Sequence, residues 1–306
     1  MNPPQQDITL REEVRVQKGC LGQNVRVWLS LLKAKHWVKN ILLFAAPFFG
    51  GYLFHPFTVS SAFTAFAAFC LCASAGYIVN DVKDADKDRL HPRKSTRPVA
   101  SGKVKPGTAF AVAGLLTAVA FALSFVISPI FFAYLAAYLA VQLAYSLFLK
   151  DVPLLDIFAI ASGFVLRVLA GGAAFHVEVS QWLFVTMFMI SLTLASGKRL
   201  CEVRLLDDKA GEHRASLNHY SPALLNEILL VAASASLLTY ALYTVEQSRN
   251  LVYTVPIVVL GLFRYIMVSK QGLGDPVEAL TRDKWLAMTV TAWLVLVGVM
   301  RYTRAS

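Results

Sequence analysis

Asn80-Asp81-Val82-Lys83-Asp84-Ala85-Asp86-Lys87-Asp88 follows directly on a long apolar run, about residues 58–80. Asp81, Asp84 and Asp88 stand at i, i+3 and i+7, so on a continuing helix the three carboxylates share one face, with Asn80 beside them. Asp86 falls off that face. Carboxylates this close repel one another unless a cation lies among them, and Mg²⁺ characteristically takes one or two carboxylates and completes its shell with phosphate oxygens. The next stretch, Arg89-Leu90-His91-Pro92-Arg93-Lys94-Ser95-Thr96-Arg97-Pro98, is a basic loop suited to those phosphates. Acids for a metal and bases for phosphate, at the end of an apolar run, point to a membrane transferase that uses a diphosphate. The plain alternative is a solvated acidic helix end paired locally with Lys83 and Lys87.

Outward from this stretch the chain is apolar. Of its 306 residues 57% are hydrophobic and only 16% charged, and the mean hydropathy is +0.56. This composition belongs to an all-α polytopic membrane protein rather than a soluble domain. Nine apolar runs of about 17–25 residues predict nine transmembrane helices, near 37–54, 58–80, 107–127, 129–148, 153–172, 180–197, 222–245, 251–268 and 284–302. Pro56, Pro106, Pro129, Pro153, Pro222 and Pro276 punctuate the boundaries. Residues 24–36 predict an interfacial helix, with Val25, Trp28, Leu29 and Leu32 on one side and Arg26, Lys33 and Lys35 flanking them. The organisation is thus an N-terminal segment, 1–36, and a nine-helix membrane catalytic domain, 37–306.

The net charge of +10 is concentrated in alternate loops. Arg11, Arg15, Lys18, Arg26, Lys33, Lys35 and Lys39 precede or open the first span. Lys83, Lys87, Arg89, Arg93, Lys94, Arg97, Lys103 and Lys105 follow the second. Lys198, Arg199, Arg204, Lys209 and Arg214 follow the sixth, and Lys270, Arg282 and Lys284 the eighth. The intervening connections are nearly free of cations. The positive-inside rule therefore predicts a multi-pass protein of the cytoplasmic (inner) membrane, with the N-terminus and charged loops cytoplasmic and the C-terminus, with Arg304, outside. The charge reads as topology and phosphate binding, with the lipid bilayer as partner and no nucleic acid. Cys20, Cys70, Cys72 and Cys201 lack zinc or redox spacing and read as packing residues. There is no P-loop, zinc signature or G-x-S-x-G elbow, and no secretory signal is expected.

Two further constellations could carry chemistry. Gly197-Lys198-Arg199-Leu200-Cys201-Glu202-Val203-Arg204, running on to Asp207 and Asp208, continues the sixth span. Lys198 and Glu202, and Arg204 and Asp208, are spaced i, i+4. The run reads either as routine surface ion pairs or as a second substrate-facing wall for a phosphorylated sugar. Arg167, within a span and flanked by Ser162, Gly163, Gly171 and Gly172, must face the bundle interior or snorkel, and the small residues permit close helix approach. Asp156 is a cap or a pocket wall. Tyr145, Lys150, His213, Ser216, Tyr220, Arg264 and Tyr265 lie at cytoplasmic span ends and read singly as anchors. Lys39, with Asn40, is the best placed to meet an anionic lipid head.

These residues resemble the UbiA-type prenyltransferase superfamily, whose members carry an N-D-x-x-D-x-x-x-D motif after the second span; Asn80, Asp81, Asp84 and Asp88 match it in full. The second aspartate-rich motif typical of prenyl-diphosphate users is replaced here by Gly197-Lys198-Arg199-x-x-Glu202. In that respect the chain is similar to the decaprenyl-phosphate phosphoribosyltransferase branch. Its landmarks here are Trp37-Val38-Lys39-Asn40, Tyr77 to Asp81, His91-Pro92-x-Lys94-x-x-Arg97-Pro98, Leu143-Ala144-Tyr145, Ser162 to Gly172 and Arg264-Tyr265.

The resemblance implies a UbiA-type bundle and transfer of 5-phosphoribose from phosphoribosyl pyrophosphate to a polyprenyl phosphate, with Mg²⁺. It implies Asp81, Asp84 and Asp88 as metal-holding and catalytic residues, with Lys198 beside them. Lys39, Asn40, Asn80, Arg89, Lys94, Arg97, Tyr145, Arg199, Glu202 and Arg204 would bind substrate. The product would feed arabinose donors for cell-envelope glycans. The competing readings are an aromatic prenyltransferase using a prenyl diphosphate and a non-catalytic lipid-binding or transport protein. Chain length of the lipid and self-association of the protein are left open.

Overall fold

The computed structural model describes residues 25–90, 94–206, 215–247 and 249–303, and regular structure among them is entirely helical. Arg11, Arg15, Lys18, Cys20, His91, Pro92, Arg93, Asp207, Asp208, Lys209, His213, Arg214 and Arg304 lie outside the described residues. The elements are α1 (25–31), a 3₁₀ segment (Ala34–Phe44), α2 (Ala45–Gly50), α3 (Pro56–Lys83), α4 (Ala85–Arg89), α5 (Pro106–Ile127) and α6 (Pro129–Leu147). There follow α7 (Leu155–Phe175), α8 (Gln181–Leu206), α9 (Pro222–Gln247), α10 (Val255–Lys270), α11 (Pro276–Arg282) and α12 (Lys284–Tyr302).

Eight helical stretches among the described residues are long and apolar enough to cross a membrane: α3, α5, α6, α7, α8, α9, a stretch Asn250–Lys270 containing α10, and α12. The ninth predicted span, 37–54, is not one continuous α-helix. It divides into the 3₁₀ segment and the six-residue α2, which Gly51 ends at a φ of +83°. The reason lies in its polar side chains. Trp37 Nε1 donates to Ser74 Oγ at 3.0 Å, and buried Asn40 donates to Cys70 Sγ at 3.2 Å, so both are drawn sideways onto α3. Val25, Trp28 and Leu29 of α1 are exposed together, while Leu31 beside them is buried against α3 and α5.

Proline starts α3, α5, α6, α9 and α11 where the sequence marks them, because its missing N–H falls where no intrahelical partner exists, whereas Pro153 lies in the turn before α7, which begins at Leu155. The corner at Ser128-Pro129 is one residue wide: Ser128 Oγ accepts from the backbone N–H groups of Ile130 and Phe131 and so caps α6. Asp275 and Asp283 cap α11 and α12 in the same way. α11, which hydropathy leaves as a loop, is one of these capped turns.

α7 joins two halves of the core. One side packs with α3 and α6 around Phe69, Phe131, Leu135 and Tyr138; the other packs with α8, α9 and α10 around Leu192, Leu200, Leu225 and Tyr265. α3 packs closely on α5, and α8 on α9. Gly171 of α7 meets the 3₁₀ segment backbone to backbone: a Cβ there would stand 1.8 Å from the Leu43 carbonyl oxygen. No side chain can yield that space, so Gly171→Ala must shift the first segment. Forced overpacking of this kind costs about 1–3 kcal/mol or more. Its expected result is a lower melting temperature in detergent and a smaller monodisperse peak on size exclusion; wild-type behaviour in both would show that the two segments are not held this closely.

Candidate active site

Of the three carboxylates that the spacing sets on one face, the structure brings Asp81 and Asp88 together on Arg97 and leaves Asp84 apart on Lys150, at the break between α3 and α4. α3 ends at Lys83, Asp84 caps it, and α4 resumes, while Asp84 N–H to Asn80 O (2.9 Å) and Asp88 N–H to Asp84 O (2.8 Å) preserve the helical ladder. Asp81 and Asp88 are both buried on one face, and Arg97 Nη1 donates to both, at 3.0 and 2.7 Å. Asp84 accepts from Asn80 Nδ2 at 3.1 Å and is paired with Lys150. Asp86 is 92% exposed at its side chain and, among the described residues, pairs with Arg89, which also donates to Ala100 O. Lys83 is directed away, onto the carbonyl of Leu147.

Two of these partners, Lys33 and Lys150, are absent from the sequence-derived site. Lys33 follows α1 in the left-handed region, φ +53°, and brings its Nζ to 2.5 Å from Asp81 Oδ2. Oδ2 is buried, and the Lys33 ammonium is the group that meets it. Burial lowers the Lys33 ammonium from its ordinary pKa, against the opposing charge of Asp81. Among the described residues, no three His, Cys, Asp or Glu side chains converge to cage an ion. Mg²⁺ characteristically takes one or two carboxylates and completes its shell with phosphate oxygens and water. Asp81 and Asp88, brought together, suit such a role.

The second wall is built differently from its local spacing. Lys198 does not pair with Glu202: it reaches Asp275 at 3.2 Å, across from the N-terminus of α11. Arg199 is 1% exposed and holds Asp156 Oδ2 (2.6 Å), Glu202 Oε2 (2.5 Å) and Tyr145 Oη (3.1 Å). Tyr220 Oη donates to the other oxygen of Asp156 at 2.6 Å. Arg199 thus ties α6, α7, α8 and the start of α9 together. Arg204 is exposed, donating to Lys270 O, and its proposed partner Asp208 lies outside the described residues. The approach of Asp275 depends on glycine: a Cβ on Gly274 would meet Cys201 Cβ at 2.4 Å and Gly197 O at 2.8 Å. Burial pushes the Asp275 carboxyl up, but Lys198 and Lys39 outweigh it and hold it below the usual range.

Beside the second wall opens a cavity of about 180 Å³, lined among others by Lys39, Tyr77, Tyr145, Arg167, Lys198 and Asp275, with none of Asp81, Asp84 and Asp88 in its lining. Lys39 stands over the Phe164 ring at 5.9 Å. Asn40 does not line it but supports it, accepting from Arg167 Nε at 2.8 Å. A second cavity of about 250 Å³, almost wholly apolar, runs between α8, α9, α10 and α12 and shares Leu194 and Pro276 with the first. Arg89 and Lys94 stay with the acid-rich side. Asp275 and Lys150 carry no motif in the sequence; only cation-rich span ends facing a short capped turn hint at them.

Residues 41–281 match the UbiA prenyltransferase family. The chain is 35% identical over 286 residues to the decaprenyl-phosphate phosphoribosyltransferase of Corynebacterium glutamicum, covering 90% of this chain and 86% of the relative. It is 31% identical over 311 residues to the Mycolicibacterium smegmatis protein of the same name, covering 96% and 98%. The fold superposes on a UbiA homologue from Archaeoglobus fulgidus, solved bound to DMAPP and Mg²⁺, with a TM-score of 0.72 at 18% identity, over 90% of this chain and 99% of that one.

Proposed function

The chain belongs to the UbiA prenyltransferase family, and we propose that within it this protein transfers 5-phosphoribose from phosphoribosyl pyrophosphate to a polyprenyl phosphate. The products are polyprenyl-phosphoryl-5-phosphoribose and pyrophosphate. The observation that carries this reading is the similarity along most of the chain to relatives of that name, together with Gly197-Lys198-Arg199 in the sequence where prenyl-diphosphate users carry a second aspartate cluster.

No general base is needed. The second pKa of a phosphate monoester is about 6, so the lipid phosphate is largely dianionic near neutral pH and attacks the anomeric carbon itself. The bond from that carbon to pyrophosphate breaks, and the electron pair leaves with pyrophosphate. The protein must hold two anions in line and screen their repulsion. Asp81 and Asp88, with Asp84, would hold Mg²⁺ beside Asn80. The metal would neutralise charge on the departing pyrophosphate. Arg97, Lys33 and Lys150, which pair with these carboxylates, would be the cations nearest to phosphates bound there, with Arg89 and Lys94 at the rim. Lys198, kept in reach by Asp275, and Glu202 would hold the phosphoribosyl group, with Arg199 and Tyr145 bracing that wall and Arg204 at its outer edge. Lys39 would meet the lipid phosphate, and the adjoining apolar cavity suits the prenyl tail. By the positive-inside rule, the cation-rich loops support a cytoplasmic position for this end of the bundle.

The test is direct. Purified protein in nanodiscs, given phosphoribosyl pyrophosphate, Mg²⁺ and polyprenyl phosphate, should form a lipid-linked phosphoribose and release pyrophosphate stoichiometrically. No such product, with consumption of a prenyl diphosphate in the presence of a phenolic acceptor instead, would overturn the assignment.

A further inference from the structure

Arg167 is the one charged group lining the polar cavity that the reaction above leaves without a role. It lies about 18 Å along α7 from the helix's cytoplasmic end, near the middle of a hydrocarbon layer roughly 30 Å thick. It is 4% exposed. Its Nε donates to Asn40 Oδ1 (2.8 Å), Nη1 to Gly163 O (2.6 Å) and Nη2 to Tyr138 Oη (2.8 Å). All three acceptors are neutral, and the rings of Tyr138, Phe69 and Phe164 lie 4.6–5.6 Å from the guanidinium carbon. Among the described residues no carboxylate pairs with it. An unpaired guanidinium at this depth is costly, so such residues face an anion or a pathway for one. Three acceptors also leave two of its five N–H donors over. The cavity it lines carries Lys39 and Lys198 as well, against the single carboxylate of Asp275, which Lys198 already engages.

We propose that Arg167, with Lys39, forms the acceptor-phosphate site and makes the cavity select a phosphate-headed polyprenyl lipid over an uncharged one. The chemistry favours this end of the cavity for the lipid rather than for the sugar donor. Leu194 and Pro276 form a wall common to the polar and the apolar cavity, so a head held by Arg167 and Lys39 lies beside a place for its tail. The donor's pyrophosphate belongs with the acids and cations of the α3–α4 turn. A planar fork with two spare N–H groups suits two phosphate oxygens, which a prenyl alcohol does not offer.

The inference rests on the proposed acceptor, and the experiment separates the two. Equilibrium binding of a short-chain prenyl phosphate and of the matching prenyl alcohol would be measured without sugar donor, alongside Michaelis constants for both substrates. Wild-type protein should prefer the phosphate at least tenfold. Arg167→Gln should weaken the phosphate about ten- to a hundredfold and leave the alcohol, and the Michaelis constant for phosphoribosyl pyrophosphate, within about threefold. A merely structural arginine would weaken both lipids together, and that result, or an unchanged phosphate preference, overturns the proposal. Should Arg167→Gln not fold, Arg167→Lys keeps the charge and loses the fork. Its phosphate affinity should fall about tenfold, and wild-type affinity would count against the site. Wild-type protein that prefers the phosphate yet transfers no phosphoribose would uphold this site and remove the reaction.

Discussion

Asp81→Asn should lower turnover by about 10²–10³, the usual consequence of removing one charge stabiliser from a transition state, or roughly 3–4 kcal/mol. The substitution keeps the shape of the side chain and removes the charge that Lys33 and Arg97 converge on. It leaves two cations facing a neutral amide in a buried position, so part of the loss could arise from disturbed packing rather than from chemistry. Melting temperature, measured beside turnover, separates these. A hundredfold loss of rate with little loss of melting temperature is the expected pair. Titration with Mg²⁺ should also move to higher concentration, because a neutral amide holds a hard cation less well than a carboxylate does. Asp86→Asn, two residues from the nearest acid but 92% exposed, should change turnover by less than about threefold. Equal losses in the two variants would contradict the helical face that gathers Asp81 with Asp88.

Much of this arrangement is legible in the sequence, because it is written in local spacing. Apolar runs of spanning length give the helices, prolines give several of their starts, and the i, i+7 relation of Asp81 and Asp88 survives the break at Asp84. What is not legible lies far apart in the chain. Lys150 meets Asp84 across 66 positions, and Lys198 meets Asp275 across 77. Local spacing even misleads at the second wall: it pairs Lys198 with Glu202, whereas Arg199 takes Glu202 at i, i+3 and turns Lys198 outward. The first segment fails for a related reason. Hydropathy counts Trp37, Lys39 and Asn40 only as minor interruptions, although the bonds of Trp37 and Asn40 to α3 reshape the backbone into a 3₁₀ run. Arg167 could be read from the sequence as inward-facing, but the neutral character of its three acceptors could not.

Arg199→Ala should be the most damaging change in the second wall, and through folding rather than through donor contact. The sequence casts Lys198 and Arg199 as equal phosphate binders; the geometry separates them. Lys198 is 37% exposed with one partner at 3.2 Å, so Lys198→Ala should raise the Michaelis constant for phosphoribosyl pyrophosphate about ten- to a hundredfold, with a near-normal melting temperature. Arg199 is enclosed, and its removal leaves Asp156, fully buried, with Tyr220 as its remaining side-chain partner. Breaking a buried ion pair from one side costs about 3–5 kcal/mol, because a desolvated charge stays behind. Arg199→Lys should be nearly as poor, since a single ammonium cannot span Asp156, Glu202 and Tyr145 as the guanidinium fork does. Pairing the change with Asp156→Asn removes the stranded charge. The double variant Arg199→Met, Asp156→Asn should therefore recover a good part of the lost melting temperature while turnover stays low, because α6, α7 and α8 are no longer tied at the wall that presents Lys198. If instead Arg199→Ala melts like wild type and loses only donor affinity, the guanidinium must leave its three partners to meet the sugar phosphates, and the wall is a moving part rather than a brace.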